Sequence, residues 1–184
     1  MSAFFQIPEF LPPLRHNIVR NVARFNRDHF VTATVNGDSN FRKAKVLHAT
    51  DFPGLYKTMS DDVRSVLPSV YHMLCIPEFH VTQLEMQMTA HGNGDYFKTH
   101  NDNGSPDCLE RTISYVYYFD VDRPRRYTGG ELRIIEEQGE ATIIPMDNSI
   151  VFFNSSLLHE VKPIQCESDA FEHSRFTING WLRR

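Results

Sequence analysis

The chain has 184 residues, a length that suits one domain or one domain with a helical extension. Hydrophobic residues make up 41% of it and aromatic residues 12%, so it can bury a sizeable core, which argues against disorder. The formal net charge is -4, which argues against a broad basic surface for nucleic acid or an anionic membrane.

Cysteine usage and the N-terminus indicate the compartment. Cys75, Cys108 and Cys166 are widely spaced and form no Cys-x-x-Cys pair, so we expect no disulfide framework. The N-terminus lacks the pattern of a secretory signal, and no apolar stretch approaches the roughly 18–20 residues of a membrane span. The sequence predicts a cytoplasmic globular protein that binds neither membranes nor nucleic acid, and it contains no signal for the oligomeric state.

Two N-terminal segments show helical periodicity. Apolar residues at three- and four-residue steps follow the Pro12-Pro13 pair, which is well placed at a helix start. They are Leu14, Ile18, Val22 and Phe25. A second run with the same spacing comprises Leu55, Met59, Val63, Val66, Val70 and Leu74. Pro68 lies inside the second run, so we expect it to kink or split that helix.

From about residue 80 the apolar period changes to two. Leu84, Met86, Met88 and Ala90 alternate with polar residues, which is typical of a half-buried strand. Further strands are predicted at residues 111–120, 130–136, 141–144, 149–154, 159–163 and 175–182. These short strands predict a mainly β fold with α, a double-sheet sandwich or jelly roll. We expect one domain, residues 1–184, with mostly helical support in 1–79 and the jelly-roll core in 80–184.

The last predicted strand has two distinct faces. One face carries Arg175, Thr177, Asn179 and Trp181, and the other carries Phe176, Ile178, Gly180 and Leu182. We expect the polar face to line a pocket and the apolar face to pack under the N-terminal helices. The alternative is an ordinary strand whose polar face, including Arg175, is solvated.

A metal site is indicated by His100-Asn101-Asp102, the only His-x-Asp in the chain. In an extended segment both side chains point to the same side and can reach one ion. Two histidines and one carboxylate suit Fe(II) in an oxygenase, because they leave coordination positions open. His159 is the best third candidate, although it could be a core or surface histidine. His91 and His173 lack a carboxylate at ligand spacing, so we expect them to be solvated or hydrogen-bonded.

Arg175 is the fourth candidate. A dicarboxylic keto acid that chelates a metal leaves its far carboxylate buried, and the guanidinium fork can bind that carboxylate with two parallel hydrogen bonds. An inward-facing arginine near the predicted strand of His159 meets this need. We prefer it to Arg183 and Arg184, since the terminal pair is more readily solvated.

Residues from about 84 to 184 resemble the 2-oxoglutarate- and Fe(II)-dependent oxygenases of the prolyl 4-hydroxylase type. The matching segments, in the family's order, are AHGNGDYFKTHND, ISYVYYFD, GGELRI, IVFFNSSLLHEV and RFTINGWLRR. The resemblance implies a double-stranded β-helix (jelly roll) in which His100, Asp102 and His159 bind Fe(II) and Arg175 binds 2-oxoglutarate. It also implies that Tyr118 donates its hydroxyl to the co-substrate. Other implied pocket residues are Val116, Leu132, Asn179 and Trp181.

The implied activity is hydroxylation of an aliphatic C–H with O₂, with ascorbate as a supporting reductant. The expected substrate is a prolyl residue in a peptide or protein. A free or carrier-bound amino acid and a natural-product intermediate stay open as alternatives. Two rivals are a non-catalytic metal-binding sensor and a cupin-type metal enzyme that needs no keto acid.

The chain departs from the family pattern at some positions. Ala90 stands where relatives often have a tyrosine, and the interval from His159 to Arg175 is long, which we interpret as a hairpin extension. Residues 35–46 begin with an Asn36-Gly37 turn signal and become basic and aromatic. Since the corresponding region of relatives is a mobile loop over a peptide, this segment is either a substrate lid or a solvated hairpin.

Overall fold

The computed structural model describes residues 3–33, 41–137 and 139–184. Two α-helices lie in these ranges, α1 (Pro13–Phe25) and α2 (Pro53–Leu74). The strands of the N-terminal part are β1 (Phe4–Ile7), β2 (Val31–Thr32), β3 (Arg42–Lys43) and β4 (Lys45–His48). Those that follow are β5 (Gln83–His91), β6 (Tyr96–His100), β7 (Arg111–Phe119), β8 (Tyr127–Gly129), β9 (Leu132–Glu136), β10 (Gly139–Ile143), β11 (Ser149–Asn154), β12 (Leu158–Val161), β13 (Ile164–Cys166) and β14 (Arg175–Arg183).

Both predicted helices are confirmed, but α2 is not split at Pro68. The proline removes one helical N–H, yet it lies on the exposed face, where water can bond the carbonyl it leaves free. The opposite face carries Val63, Leu67 and Val70, which are buried and hold the helix together through packing. Neither helix of the described ranges combines the length and the apolar character that a membrane span requires.

The strands form two larger antiparallel sheets and one small one. The major sheet has the order β1-β11-β7-β14-β5-β4-β2, and the minor sheet has the order β10-β9-β12-β6-β3. Tyr118 and Phe153 of the major sheet share a hydrophobic cluster with Leu132 and Ile134 of the minor sheet. The interior between the two sheets is therefore packed, and the predicted jelly-roll fold is confirmed.

A second hydrophobic layer lies between the major sheet and the helices. It contains Phe176, Ile178 and Leu182 of β14 together with Val19 of α1 and Val63 of α2. All five side chains are 0% exposed. The apolar face of the last strand is thus buried against the helical layer, as its alternation predicts.

The N-terminal part contributes strands as well as helices. β1 forms one edge of the major sheet, β2 and β4 lie at its other edge, and β3 forms an edge of the minor sheet. These strands have two to four residues each, too few for a period of two to stand out in the sequence. Of the segment 35–46, residues 35–40 lie outside the described residues and the remainder enters β3 and β4, so the lid hypothesis stays a prediction.

The long interval before Arg175 does not fold back on itself as a hairpin. Its first residues form β13, which pairs with β8 in a separate two-stranded sheet. A short 3-10 turn, Phe171–His173, then leads into β14. The expected hairpin extension was therefore wrong, because the partner of β13 lies far away in sequence.

Asp147 ties helix α1 to the sheet. Its carboxylate accepts hydrogen bonds from the backbone N–H of Asp120 (2.9 Å) and from Nη2 of Arg20 on α1 (2.8 Å). His16 Nε2, also on α1, lies 3.1 Å away. Burial raises the pKa of Asp147, but the hydrogen bonds from His16 and Asp120 and the charge of Arg20 outweigh it and hold the pKa well below its usual range.

We predict that Asp147→Asn lowers the free energy of unfolding by about 2 kcal/mol at pH 7. The folded-state pKa is lower than the unfolded value, so the stabilisation is complete above about pH 4 and is lost as the pH falls through the folded pKa. Chemical denaturation should therefore show the difference between variant and wild type shrinking below pH 4. Asp61→Asn, a change at an exposed position of α2, is the control and should change little. A difference as large at pH 2 as at pH 7 would contradict this role.

Candidate functional site

Three potential metal donors meet in the minor sheet. His100 is the last residue of β6, and His159 on β12 lies directly opposite it in the antiparallel register. Asp102 follows two residues after the end of β6. One donor atom from each of the three residues lies within 4.8 Å of the others. The strand pairing thus brings together two histidines that are 59 positions apart in sequence (159 minus 100), and with Asp102 their spacing can hold one metal ion.

Backbone carbonyls determine which nitrogen of each imidazole is free. Nδ1 of His100 lies 2.7 Å from the carbonyl oxygen of Lys98, and Nδ1 of His159 lies 2.9 Å from that of Leu157. Because a carbonyl only accepts, each Nδ1 must carry the proton and donate it. Nε2 is therefore the nitrogen that each histidine can offer to a metal. Orientation of a ring through its second nitrogen is characteristic of histidine metal ligands.

Asp102 is held by its own set of contacts. Ser114 Oγ on β7 donates to Oδ2 at 2.6 Å, and the backbone N–H of Asp102 donates to Ser155 O at 2.9 Å. Burial raises the pKa of Asp102, but the neighbouring His159 and His100 and the bond from Ser114 outweigh it and keep the pKa below its usual range. The carboxylate is therefore ionised at neutral pH and suited to a cation.

His100 is neutral under the same conditions. Burial lowers its pKa to about 4, repulsion from His159 acts in the same direction, and Asp102 and the carbonyl of Lys98 oppose the shift. The ring of Phe97 stacks on it with centroids 3.6 Å apart. A neutral, sterically fixed imidazole is the form that binds a metal.

Arg175 lies deeper, at the start of β14, and is only 1% exposed. Its Nη1 is 3.5 Å from Nδ1 of His91, and its guanidinium carbon is 5.1 Å from the ring centre of Tyr118. Gly130, at φ +71°, makes room for it, because a Cβ there would lie 2.4 Å from Arg175 Cδ.

His91 is a site residue that the sequence did not reveal. Burial lowers its pKa well below the usual value, and the charges of Arg175 and Arg42 lower it further, so the ring is neutral. The guanidinium of Arg175 can only donate, so Nδ1 of His91 accepts and Nε2 carries the proton. Within the described chain, His91 Nε2, Tyr118 Oη and Arg175 Nε have no hydrogen-bond partner. Several donors around Arg175 are therefore free for an anion.

An inner cavity of about 50 Å³ joins the three donors to Arg175. Its walls include four of the residues predicted for the pocket: Val116, Leu132, Asn179 and Trp181. Tyr118 is buried next to Arg175 and is not part of the wall. The polar face of β14 therefore faces the cavity, as expected from its alternation.

A wider outer groove of about 740 Å³ adjoins the cavity. The two spaces share Arg42, Gln87, Phe97, His100, Asp102 and Trp181 in their walls. In the sequence, Arg42 is one residue of a basic segment and has no predicted role in the site. The pairing of β3 with β6 places its side chain in the walls of the cavity and the groove. The donors of the candidate metal site are thus reachable from a large open space.

The other candidates considered in the sequence lie elsewhere. His173 is bonded through Nδ1 to Ser168 at 2.9 Å and does not join the donor cluster. Arg183 pairs with Glu85, and Arg184 lies over the ring of Phe79. Neither arginine lines the cavity or the groove, which favours Arg175 among the three.

Trp181 is the single tryptophan of the chain and is held by Arg111. The Arg111 guanidinium carbon lies 3.9 Å from the ring centre of Trp181. Arg111 also forms an ion pair with Glu85 and donates to the backbone carbonyl of Asp102 at 3.4 Å. One arginine therefore connects the wall of the groove with the backbone of a candidate metal donor.

Replacing Arg111 by methionine should loosen Trp181. We predict that the fluorescence emission of Trp181 shifts to the red and that its quenching by acrylamide increases roughly twofold. The free energy of unfolding should fall by about 1 kcal/mol, because the cation–π contact and the ion pair of Arg111 are lost together. Arg126→Met is the matched control, since Arg126 pairs with Glu167 on the surface. Unchanged quenching in Arg111→Met would show that the stacking does not hold the ring.

Comparison with known proteins agrees with this geometry. Residues 86–183 match the 2OG-Fe(II) oxygenase superfamily. An uncharacterised PKHD-type hydroxylase of Synechocystis sp. is 35% identical over 194 residues, which covers 100% of this chain and 64% of that protein. A PKHD-type hydroxylase of Shewanella baltica is 32% identical over 100 residues, 50% of this chain and 44% of that protein. The matched regions thus span less than two thirds of the length of these relatives.

Solved structures share the fold. A prolyl hydroxylase of Trichoplax adhaerens, in complex with a hypoxia inducible factor peptide fragment, has a TM-score of 0.77 at 21% identity, covering 100% of this chain and 84% of that one. A prolyl-4-hydroxylase of Pseudomonas putida has a TM-score of 0.71 at 21% identity, covering 100% and 94%. The superfamily match includes His100, Asp102, His159 and Arg175, and the chain belongs to the 2OG-Fe(II) oxygenase superfamily.

Proposed function

We propose that this protein is a 2-oxoglutarate- and Fe(II)-dependent dioxygenase that hydroxylates an aliphatic C–H. The observation that carries the proposal is the pair of facing histidines, His100 and His159, whose Nδ1 protons are tied to backbone carbonyls beside Asp102. This arrangement aims two lone pairs and one carboxylate at the same point and leaves the side toward the cavity free.

The donor set fits Fe(II). Two imidazoles and one carboxylate on one face are the facial triad typical of non-haem iron oxygenases. The hydrogen bond from Ser114 to Asp102 would orient the carboxylate, as outer partners of metal ligands commonly do. His100, Asp102 and His159 would therefore hold the ion.

The surroundings of Arg175 fit the far carboxylate of 2-oxoglutarate. The guanidinium is buried without a carboxylate partner among the described residues, which is unfavourable unless an anion binds there. The free Nε2–H of His91 and the hydroxyl of Tyr118 supply further donors. Arg175 would bind and orient the co-substrate, and Val116 and Leu132 would exclude water from it.

When bound, Fe(II) with O₂ and 2-oxoglutarate supplies the oxidising chemistry, with succinate and CO₂ as co-products and ascorbate as a supporting reductant. The chain would position the substrate in the outer groove, against Trp181, and would keep the inner cavity, which Asn179 lines, dry.

The proposed substrate is a prolyl residue in a peptide or protein. The outer groove supports this choice, because about 740 Å³ of open space beside the donors can take an extended chain. The Trichoplax relative is described in complex with a peptide fragment. A free or carrier-bound amino acid is the alternative, and mass spectrometry of candidate peptides and amino acids distinguishes them by the mass of one added oxygen atom.

We predict that wild-type protein converts 2-oxoglutarate to succinate with Fe(II) and O₂ and that His159→Ala does not. Fe(II) affinity, measured anaerobically by Trp181 fluorescence, should fall by about a hundredfold or more, since even the loss of an outer partner costs 10–100-fold. Ser114→Ala should cause the smaller loss expected for such a partner. His173→Ala is the control and should bind Fe(II) normally. Succinate formation by His159→Ala at the wild-type rate would refute the metal assignment.

We predict that Arg175→Gln weakens 2-oxoglutarate binding by about a hundredfold or more, because removing one side of a buried charge pair costs about 3–5 kcal/mol. Fe(II) binding should persist, and Arg175→Lys should recover part of the affinity, since an ammonium lacks the planar fork. Titration of 2-oxoglutarate into the metal-loaded protein measures this. Arg183→Gln is the matched control, and a larger loss there would mean that Arg175 is not the co-substrate residue.

A further inference from the structure

Two arginines are buried in the described part of the chain, Arg42 at 9% exposure and Arg175 at 1%. Other arginines that are largely shielded from solvent have carboxylate partners. Arg20 pairs with Asp147 and Arg111 pairs with Glu85. Neither Arg42 nor Arg175 has a carboxylate within ion-pair distance among the residues that the structure describes. In the proposed function the far carboxylate of the co-substrate binds to Arg175, whereas no ligand is assigned to Arg42.

Among the described residues, Arg42 has one hydrogen-bond acceptor and one aromatic ring as partners. Nη2 donates to Thr89 Oγ1 at 3.3 Å, and the guanidinium carbon lies 4.9 Å from the ring centre of Phe97. Nε is buried and has no hydrogen-bond partner within the described ranges. Burial lowers the pKa of Arg42 to about 10, and Asp102 opposes the shift, so the side chain stays charged at neutral pH. One neutral hydrogen-bond acceptor and one aromatic ring offset only a small part of the free energy that it costs to bury a cation.

The nearest carboxylate of the site does not neutralise Arg42. Asp102 interacts with His100 and His159 and accepts a hydrogen bond from Ser114. Glu85, which also lines the outer groove, is paired with Arg111 and Arg183. The guanidinium of Arg42 therefore presents positive charge to the space in front of it.

The position of Arg42 indicates where a ligand bound to it would lie. It lies on β3, opposite Phe97 of β6, and Phe97 in turn stacks on His100. Arg42 lines both the inner cavity and the outer groove, whereas Arg175 lines only the cavity. An anion on Arg42 would thus lie at the mouth of the cavity, on the substrate side of the donors.

We propose that Arg42 is a specificity residue that binds a carboxylate of the substrate close to the carbon that is hydroxylated. This inference rests on the proposed function and narrows its substrate class. The carboxylate is either the α-carboxylate of a free or C-terminal residue or the side chain of an aspartate or glutamate beside the target residue. Both sources offer the planar anion that a guanidinium fork binds.

The test compares matched probes that differ only in this charge. N-acetyl-proline and N-acetyl-prolinamide test the α-carboxylate, and N-acetyl-Asp-Pro-amide and N-acetyl-Asn-Pro-amide test the side chain. Each probe is added to protein loaded with Mn(II) and saturated with 2-oxoglutarate, and broadening of the probe's NMR lines by Mn(II) reports binding near the metal. In the wild type we expect the acid of at least one pair to bind about tenfold more tightly than its amide. The pair that shows the preference identifies the source.

Variants of Arg42 distinguish binding of the substrate carboxylate from a role in binding 2-oxoglutarate. The preference for the acid should vanish in Arg42→Gln and be kept in part in Arg42→Lys. The dissociation constant of 2-oxoglutarate should change less than about threefold in Arg42→Gln, in contrast to Arg175→Gln. A loss of 2-oxoglutarate affinity as large as in Arg175→Gln would assign Arg42 to the co-substrate and overturn the proposal.

Asp38 is the acidic residue nearest to Arg42 in the sequence and lies outside the described residues, so Asp38→Asn is included. We expect it to keep the wild-type preference. If the preference is absent in the wild type and appears only in Asp38→Asn, the chain neutralises its own arginine and the proposal fails. The proposal also fails if the NMR lines of acid and amide broaden equally in both wild-type pairs, or if the preference for the acid survives in Arg42→Gln.

Binding of Mn(II) and of 2-oxoglutarate to the wild type is measured before any probe is added. If the wild type binds neither or only one of them, the proposed function is refuted, and this outcome is distinct from a failure of the Arg42 proposal.

Discussion

The organisation of this protein depends on strand β14, which lies between β5 and β7 in the major sheet. Its register sets Arg175 opposite His91 and Asn179 opposite Val116. Because successive side chains point to opposite faces, the same strand fills the layer under the helices and lines the cavity. A slip by one residue would exchange the two faces and place apolar side chains in the site. Hydrophobic packing of one face therefore holds the polar face in place.

The electrostatics of the cavity follow from what surrounds each charge. Burial keeps the ring of His100 neutral, and the carbonyl of Lys98 orients it. The hydrogen bond from Ser114 and the neighbouring histidines keep the carboxylate of Asp102 ionised. Around Arg175 and Arg42 the described residues supply donors and neutral groups instead of paired carboxylates. An interior with unpaired guanidinium groups is stabilised when anions bind, so stability and ligand binding should be linked here. The arrangement is preorganised, since rigid strands carry almost every group involved.

Much of this organisation could be predicted from local patterns. Alternating apolar residues identified β5, and helical spacing after Pro12-Pro13 identified α1. The His-x-Asp motif and Arg175 stood out because their chemistry suits a metal and a keto acid. The expected hairpin extension was wrong, because β13 pairs with β8, a partner that is remote in sequence. Helix α2 continues through Pro68 without a split, since the face that carries the proline meets solvent.

By itself the sequence determined the periodicities, the order of helices and strands and the residue types able to bind a metal, since all of these are properties of neighbouring residues. Only the tertiary structure decided that β12 would lie against β6 with His159 opposite His100, because sheet register is a long-range choice made by packing. It also decided that His91 and Arg42 would face the cavity. In the sequence neither differs from an ordinary surface residue. Burial next to other charges, which no local pattern encodes, is what separates them from the rest.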